Sequence, residues 1–494
     1  MKKTVVLLLL LSLITGTLGA VQAEEKPELR VLTEYSTIDA NADPTAALLE
    51  QLTGYKVVYV ALPNEERLPK LNAILASREP YDIMILSPDS FANTVHLGAF
   101  MSLDELLAQA GQAVQQGTNP SLWTSATVDG AILGIPYRLS VENYHSGLRV
   151  RTDILEKAGV KELPTTPEAL YDALVKVRDE TGTIPLTGAA AGAGVIVSEI
   201  ASAFGLYNDW IVTEDGIRHR AMAPGAKDYV AYMNKLYTEK LIDTEWAQNS
   251  GAVAREKFLS GAAAINRVYW WEEPSASETL LSNFPDATYA YLPPLTGEYG
   301  HGMSINRSAD KITVIPKVAE HPEAAMDWIN IKVSTPELFR EFVIGTEGTH
   351  YSIVGENEYQ PINPAFTDEK NFASEFLTST IAKDYDIYWS QTRVRKNEKL
   401  YAEFLKMQEN VKSSPIYYDP TSFMSPNDEF ISLAPTVNTF VYDTFLQMIV
   451  GTRSLDEWDS FIEEFKQTGG DELEAIVNEW WDQHKDDLTG MISR

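Results

Sequence analysis

The chain has 494 residues, 40 of them Lys or Arg and 70 Asp or Glu, for a formal net charge of −30. A field of that sign repels nucleic acid and anionic membrane surfaces, both of which are held by basic patches. No cysteine is present, so a disulfide, a thiol nucleophile and an acylated cysteine are excluded, and a zinc site would need His and carboxylates.

The first residues read as an export signal. Lys2 and Lys3 precede an apolar stretch, Val5 to Leu13, broken only by Ser12, and Val21-Gln22-Ala23 forms a small-x-small cleavage pattern before Glu24. Such a segment over 1–23 is too short and wrongly flanked for a membrane span. "LITGT" (13–17) has the form of a lipoprotein signal with Thr17 in place of the acylated cysteine. The expectation is therefore a free periplasmic or secreted protein without a lipid anchor. Nothing later approaches the ~18 continuous apolar residues of a spanning helix. The length calls for more than one domain, because single cores stop growing near ~250–300 residues.

In chain order, "LRVLTEY" (29–35) is a strand. "AALLEQLTGYKVVYVAL" (46–62) is a helix, a stop at Gly54 and a second strand. Residues 67–88 repeat the scheme, with a break at Pro80 and a strand from Asp82 to Leu86. Alternating strand and helix periods predict a parallel α/β sheet, whose ligands bind beyond the carboxyl ends of strands; the loops 34–38 and 87–90 are thus of interest. Residues 128–160 read as a hairpin, a long extended crossing and a helix, after which a second α/β alternation begins. In it, 165–182 is a helix with Thr166 as N-cap, Pro167 in the first turn and Gly182 past the end. A hairpin around Asp215-Gly216 follows, then a helix over 226–241. Strand character resumes over 287–307. "HPEAAMDWINIKV" and "TPELFREFVI" are helices ending near Gly345, and the chain then loops into a helical C-terminal stretch.

One stretch stands out. "GAAAINRVYWW" (261–271) ends in Tyr269, Trp270 and Trp271. Aromatics fill cores more often than they line sites, yet three consecutive strand residues cannot share one face. At least one of them needs a second environment.

"DIMILSPDSFANTVHLGAFMSLDELL", "ILGIPYRLSVENYHSGLRVRTDILEKAGV", "FLSGAAAINRVYWW" and "YAYLPPLTG" occur in that order. Together they resemble the solute-binding proteins of carbohydrate-type ABC importers, the maltose-binding-like clamshell receptors. "TEGTHYSIVGENEY" and the C-terminal residues 453–484 are similar to the longer subgroup near the alginate-oligosaccharide receptors. The resemblance implies an α/β periplasmic-binding-protein clamshell with discontinuous lobes joined by two or three crossings. Lobe one would be 24–145 plus 291–347 and lobe two 146–290 plus 348–494, with the ligand in the cleft between them. It implies a sugar or oligosaccharide ligand, the membrane subunits of an ABC importer as partners, a monomer, and no cofactor. Relatives in the subgroup often carry an acidic calcium loop after the helix that begins "TPEAL". Here that stretch is "VRDETGTIPLTG", without a D-x-[DN]-x-[DN]-G series, so no metal is expected.

The resemblance also implies candidate ligand contacts. The stretch "NRVYWW" would bring an aromatic against a sugar ring, with Tyr269 or Trp271 facing ligand and Trp270 inward, core packing of all three being the alternative. Tyr35 lies beyond the first strand, and Asp89 and Ser90 follow the third, where maltose-type receptors carry polar contacts. Tyr137, Arg138, Glu142 and Tyr144 lie on the crossing, where both lobes could reach ligand, a structural role being expected for about half of them. Arg267 could bond sugar hydroxyls, pair a uronate carboxylate, or form a structural salt bridge. Trp210 is expected in the core; His350 and Tyr351 are remoter candidates. A glycoside-active enzyme would also combine aromatics with carboxylates, but no catalytic motif is present: no G-x-S-x-G, no H-E-x-x-H and no Walker loop. The glycine-rich "TGAAAGAG" (187–194) lacks the Lys and the preceding-strand context of a phosphate loop and reads as a close-packed loop or helix start. A receptor for peptides or another non-sugar solute shares the fold, since fold does not set the ligand.

Overall fold

The computed structural model describes residues 26–34, 38–63, 65–138, 146–272, 275–305, 309–355, 358–381 and 398–488. Nine strands build its two main sheets: β1 (Leu29–Glu34), β2 (Val57–Leu62), β3 (Ile83–Leu86), β4 (Ile135–Tyr137), β5 (Ser146–Arg151), β6 (Ile184–Leu186), β7 (Ala263–Tyr269), β8 (Tyr289–Tyr291) and β9 (Lys311–Val314). The first sheet has the order β2-β1-β3-β9-β4 and the second β8-β5-β7-β6. β1, β2 and β3 are parallel, as the βα alternation requires. β9 and β4 extend that sheet antiparallel, so it is mixed rather than wholly parallel. In the second sheet, among the described residues, only β6 and β7 pair in parallel.

Local chemistry accounts for the helix ends. Asp43 caps Pro44–Thr53 through the Thr45 N–H, and Gly54 closes it at φ 73°, a left-handed conformation that suits glycine. Thr166 accepts from the Ala169 N–H ahead of Pro167–Thr181, and Gly182 ends that helix in the same left-handed way. The hairpin Trp210–Thr213/Gly216–His219 turns at Asp215-Gly216.

Each sheet carries its own core. Around the first, Leu29, Val31, Ile83 and Ile85 pack with Trp328, Phe339 and Phe342 of the helices Pro322–Lys332 and Pro336–Val343. Around the second, Leu148, Val150 and Ile265 join Leu170 and Leu174, Met233, and Phe445, Phe461 and Trp481 from the C-terminal helices. Among the described residues the chain passes from one sheet's core to the other's at three places: between Arg138 and Ser146, between Ile305 and Ala309, and between Ile381 and the helix Glu398–Val411.

Two of the lobe boundaries move accordingly. Leu292, Leu295, Met303 and Ile305 belong to the cores of the second sheet, so the return to the first lobe falls after 305 and not at 291. Tyr351, Tyr359, Phe366, Phe376, Leu377 and Ile381 lie in the core of the first sheet, so 348–381 belongs to lobe one and lobe two resumes only with 398. The hairpin Tyr351–Gly355/Glu358–Pro361 is too short to bury its own aromatics and does so against the first lobe. The lobes also meet at His96 Nε2 and Asp428 Oδ1, 3.0 Å apart, and where Ser425 Oγ donates to the Thr124 carbonyl at 3.0 Å.

Candidate functional site

β6 and β7 run parallel, so their carboxyl ends lie at the same end of the second sheet. Tyr269, the last residue of β7, pairs with Ser146, the first residue of the lobe after the crossing from β4. A cavity of about 570 Å³ opens at this end, within the roughly 300–1,000 Å³ of small-molecule sites. All of its lining residues among those described belong to lobe two.

One wall is the end of β7. The strand is buried or half-buried up to Tyr269, which is 38 % exposed. Arg267 stands two residues earlier, on the same face by strand alternation, and both line the cavity. The chain then turns through a short 3₁₀ segment, Trp270–Glu272. Glu272 Oε2 accepts from the Tyr269 N–H at 3.0 Å, and its Oε1 bonds the Arg255 guanidinium. Trp270 turns the other way, edge-on to Phe404 with ring centres 5.9 Å apart.

The opposite wall is the glycine-rich stretch after β6. Thr187 donates its N–H to the Ile265 carbonyl at 2.9 Å, and Ala190 donates to Trp246 O at 3.1 Å. The buried Asp243 carboxylate accepts from Thr187 Oγ1 (2.8 Å), Asn249 Nδ2 (2.8 Å) and Lys257 Nζ (2.7 Å). Asn249 Nδ2 also reaches the Gly188 carbonyl at 3.1 Å. Burial acts to raise the Asp243 carboxyl pKa, but Lys257 and the hydroxyl and amide donors outweigh it and hold the group below the usual carboxylate range. Gly194 has no room for a side chain, since a Cβ there would sit 2.3 Å from the Ala189 carbonyl oxygen. At Gly194 the wall thus excludes a side chain for a steric reason, and at Thr187 and Gly188 it is held from behind by an ionic cluster.

Arg220 closes the cavity on a third side, its Nε 2.8 Å from Asp209 Oδ1. Arg267 has Glu199 Oε2 at 3.4 Å, and Glu199 in turn accepts from the Leu148 N–H at 3.0 Å. The result is an aromatic ring partly open to solvent, set among guanidinium donors and carboxylate acceptors.

The model of the bacterial extracellular solute-binding protein family matches residues 31–335, which run from β1 past β9 and so through both sheets. The chain belongs to that family. It is 35 % identical over 259 residues to an uncharacterized protein of the butB 5′ region of Niallia circulans, covering 52 % of this chain and all of that one. Among solved structures it is similar in fold to FusA, an ABC-transporter substrate-binding protein of Streptococcus pneumoniae (TM-score 0.68, 19 % identity, 93 % of this chain and 100 % of that one). It is also similar in fold to NgtS, the N-glycan transport solute-binding protein of the same organism (TM-score 0.61, 17 % identity, 94 % and 99 %). Among the described residues, no helix is long and apolar enough to cross a membrane.

Within this extracellular solute-binding chain the residues singled out from sequence separate clearly. Arg267 and Tyr269 meet in the cavity. Tyr35, Glu142, Tyr144 and the side chain of Trp271 lie outside the described residues. Tyr137 does not face a cleft: it is 1 % exposed, and its hydroxyl donates to the Leu377 carbonyl at 2.7 Å, because β4 is a sheet strand packed under the returning chain. Arg138 beside it is half-buried. Ser90 is fully buried and donates to Glu34 Oε1 at 2.6 Å. Arg67 also reaches that buried carboxylate, so Glu34 ties the amino end of Pro88–Thr94 to β1. Asp89 points to solvent and pairs with Arg67 Nη2 at 2.9 Å. Trp210 is in the lobe-two core. His350 is buried between the Thr346 N–H and Glu369, and Tyr351 lies in the lobe-one core.

Sequence reasoning missed Thr187, Gly188, Trp246, Arg255, Glu272 and Arg220. For the first two a signal was present: a Gly/Ala run directly at the carboxyl end of a strand is where backbone must approach closely, and here it borders the cavity. Trp246, Arg255 and Arg220 come from separate segments and carry no local signal.

Proposed function

We propose that this protein is the receptor of an ABC importer for a sugar or short oligosaccharide, which it holds at the Tyr269 cavity while lobe one closes over it. The observation that carries the reading is the pairing of a half-open tyrosine ring with Arg267 two residues away on the same strand face. Sugars present an apolar face and a rim of hydroxyls, so an aromatic plane beside hydrogen-bonding groups suits both. The position supports it as well, at the carboxyl ends of parallel strands and beside the crossing between lobes. FusA is described in complexes with fructo-nystose and with kestose, and NgtS with Man1GlcNAc. By the same reading the protein is a monomer, is exported through residues 1–23 without a lipid anchor, delivers its solute to the membrane subunits of the importer, and performs no catalysis.

Incubation with a panel of oligosaccharides tests this. A receptor gains thermal stability, by RT ln(1 + [L]/Kd) or ~2.7 kcal/mol at a hundredfold excess over Kd, and returns the sugar intact. A peptide receptor shows no shift with any saccharide, and an enzyme returns shortened products.

A further inference from the structure

We propose that the cavity selects an uncharged saccharide and that Glu272 is the specificity-determining residue that excludes a carboxylated one. The inference rests on the saccharide reading above. Among the described residues, four charged side chains line the cavity: Arg220, Arg255, Arg267 and Glu272. Three guanidiniums look like an anion site until their partners are included. Arg220 has Asp209 at 2.8 Å, Arg267 has Glu199 at 3.4 Å, and Arg255 is in direct contact with Glu272. Among the described residues these three positive charges meet three negative ones, and their formal sum is zero.

Paired groups of this kind still offer N–H donors and carboxylate lone pairs to hydroxyls, since a guanidinium has five N–H bonds and a carboxylate about four acceptor positions. A ligand carboxylate would meet each guanidinium with its negative partner already in place. Two carboxylates sharing one partly desolvated site repel, and one of them must protonate or leave. The cavity therefore favours polyhydroxylated neutral solutes over anionic ones.

Of the three carboxylates, Glu272 is the one that decides. Asp209 is also engaged by the Tyr442 hydroxyl at 2.5 Å. Glu199 is 1 % exposed and bonded to the Leu148 N–H at 3.0 Å; removing either disturbs the lobe core. Among the described residues, Glu272 is the acidic one on the cavity wall itself. Its two oxygens have separate tasks, Oε1 on Arg255 and Oε2 on the Tyr269 N–H. A glutamine keeps an acceptor for the Tyr269 N–H and removes the charge that neutralises Arg255.

The test is titration calorimetry at pH 7 and constant salt with matched trisaccharide pairs, such as 1,4-linked galactotriose with trigalacturonate and mannotriose with trimannuronate. The wild-type protein should prefer the neutral member of the pair it binds by about tenfold or more, a difference of ~1.4 kcal/mol. Glu272→Gln should reduce that preference about tenfold through a gain for the uronate, as expected for one unpaired guanidinium meeting a carboxylate. Arg255→Gln, which leaves Glu272 uncompensated, should deepen the rejection of the uronate and keeps the test decisive if Glu272→Gln does not fold. Equal or tighter wild-type binding of the uronate, or an unchanged ratio in the variants, overturns the inference while leaving the receptor reading intact. Failure of every pair to bind overturns the saccharide reading and this inference with it.

Discussion

Replacing Asp243 is the sharpest test of how the glycine-rich wall is held. Its carboxylate is 3 % exposed and takes three side-chain donors, Thr187, Asn249 and Lys257, all within 2.8 Å. Breaking a buried pair by removing one partner costs about 3–5 kcal/mol. Lys257 keeps Glu245 at 2.6 Å and Asn249 Oδ1 at 3.1 Å, so Asp243→Ala should fall near the lower end, about 3 kcal/mol. Asp243→Asn keeps the shape and loses only the charge, so it should cost about 1.5–3 kcal/mol, the range for hydrogen bonds to charged groups. Hydrogen exchange followed by mass spectrometry on peptides covering 187–194 reads this locally, because opening of that wall exposes its amides without global unfolding. The effect has a defined pH sense. The folded carboxyl is held below its ordinary value, so its stabilisation is present above the unfolded pKa of about 3.9 and disappears as pH falls below it toward the folded value. Wild type and variant should therefore differ from pH 6 to 8 and converge in acid. If Asp243→Ala leaves protection of 187–194 within about 0.5 kcal/mol of wild type at pH 7, the size of an ordinary surface substitution, the ionic cluster does not hold the wall.

Other outcomes follow from individual contacts. Tyr269→Ala should weaken saccharide binding steeply with little loss of stability, whereas Trp270→Ala should destabilise lobe two by up to about 3 kcal/mol, since Trp270 is only partly buried against Phe404; calorimetric titration and urea unfolding separate the two. Gly194→Ala should lower saccharide affinity at least tenfold in the same titration, because its Cβ would lie 2.3 Å from a backbone carbonyl and the wall must move. Asp419 is pushed up to about 6 by burial, against the opposing bonds from Thr421. A carboxyl with a raised folded pKa costs stability as pH climbs from about 4 to 6, so Asp419→Asn should flatten the urea-midpoint profile across that window and be no less stable than wild type at pH 7.

The elements that obey local rules were readable from sequence. Thr166, Pro167 and Gly182 bound a helix because capping and φ preference act within a few residues, and Asp215-Gly216 makes its hairpin for the same reason. The aromatic run was legible in part. Strand alternation separates Tyr269 from its neighbour, and the structure shows Tyr269 on the cavity and Trp270 packed on Phe404. What failed were inferences that needed long-range pairing. Tyr137 sits on a residue stretch that looks like a crossing, but β9, more than 170 positions later, pairs with β4 and buries it. Ser90 follows a strand end as a ligand contact would, yet the carboxylate of Glu34, 56 positions earlier, claims its hydroxyl. The segment 348–381 returns to the first lobe through aromatics whose partners lie hundreds of residues upstream. Charge pairing was equally hidden, because Arg220, Arg255 and Arg267 find their carboxylates at separations of 11, 17 and 68 positions.

A crystal structure of the protein with the saccharide that stabilises it most would test the central claim directly. The account predicts a sugar ring against the face of Tyr269, its hydroxyls within hydrogen-bond distance of Arg267 and of the backbone between Thr187 and Gly194, with lobe one closed over it. A saccharide bound elsewhere, with the Tyr269 cavity empty, would contradict it.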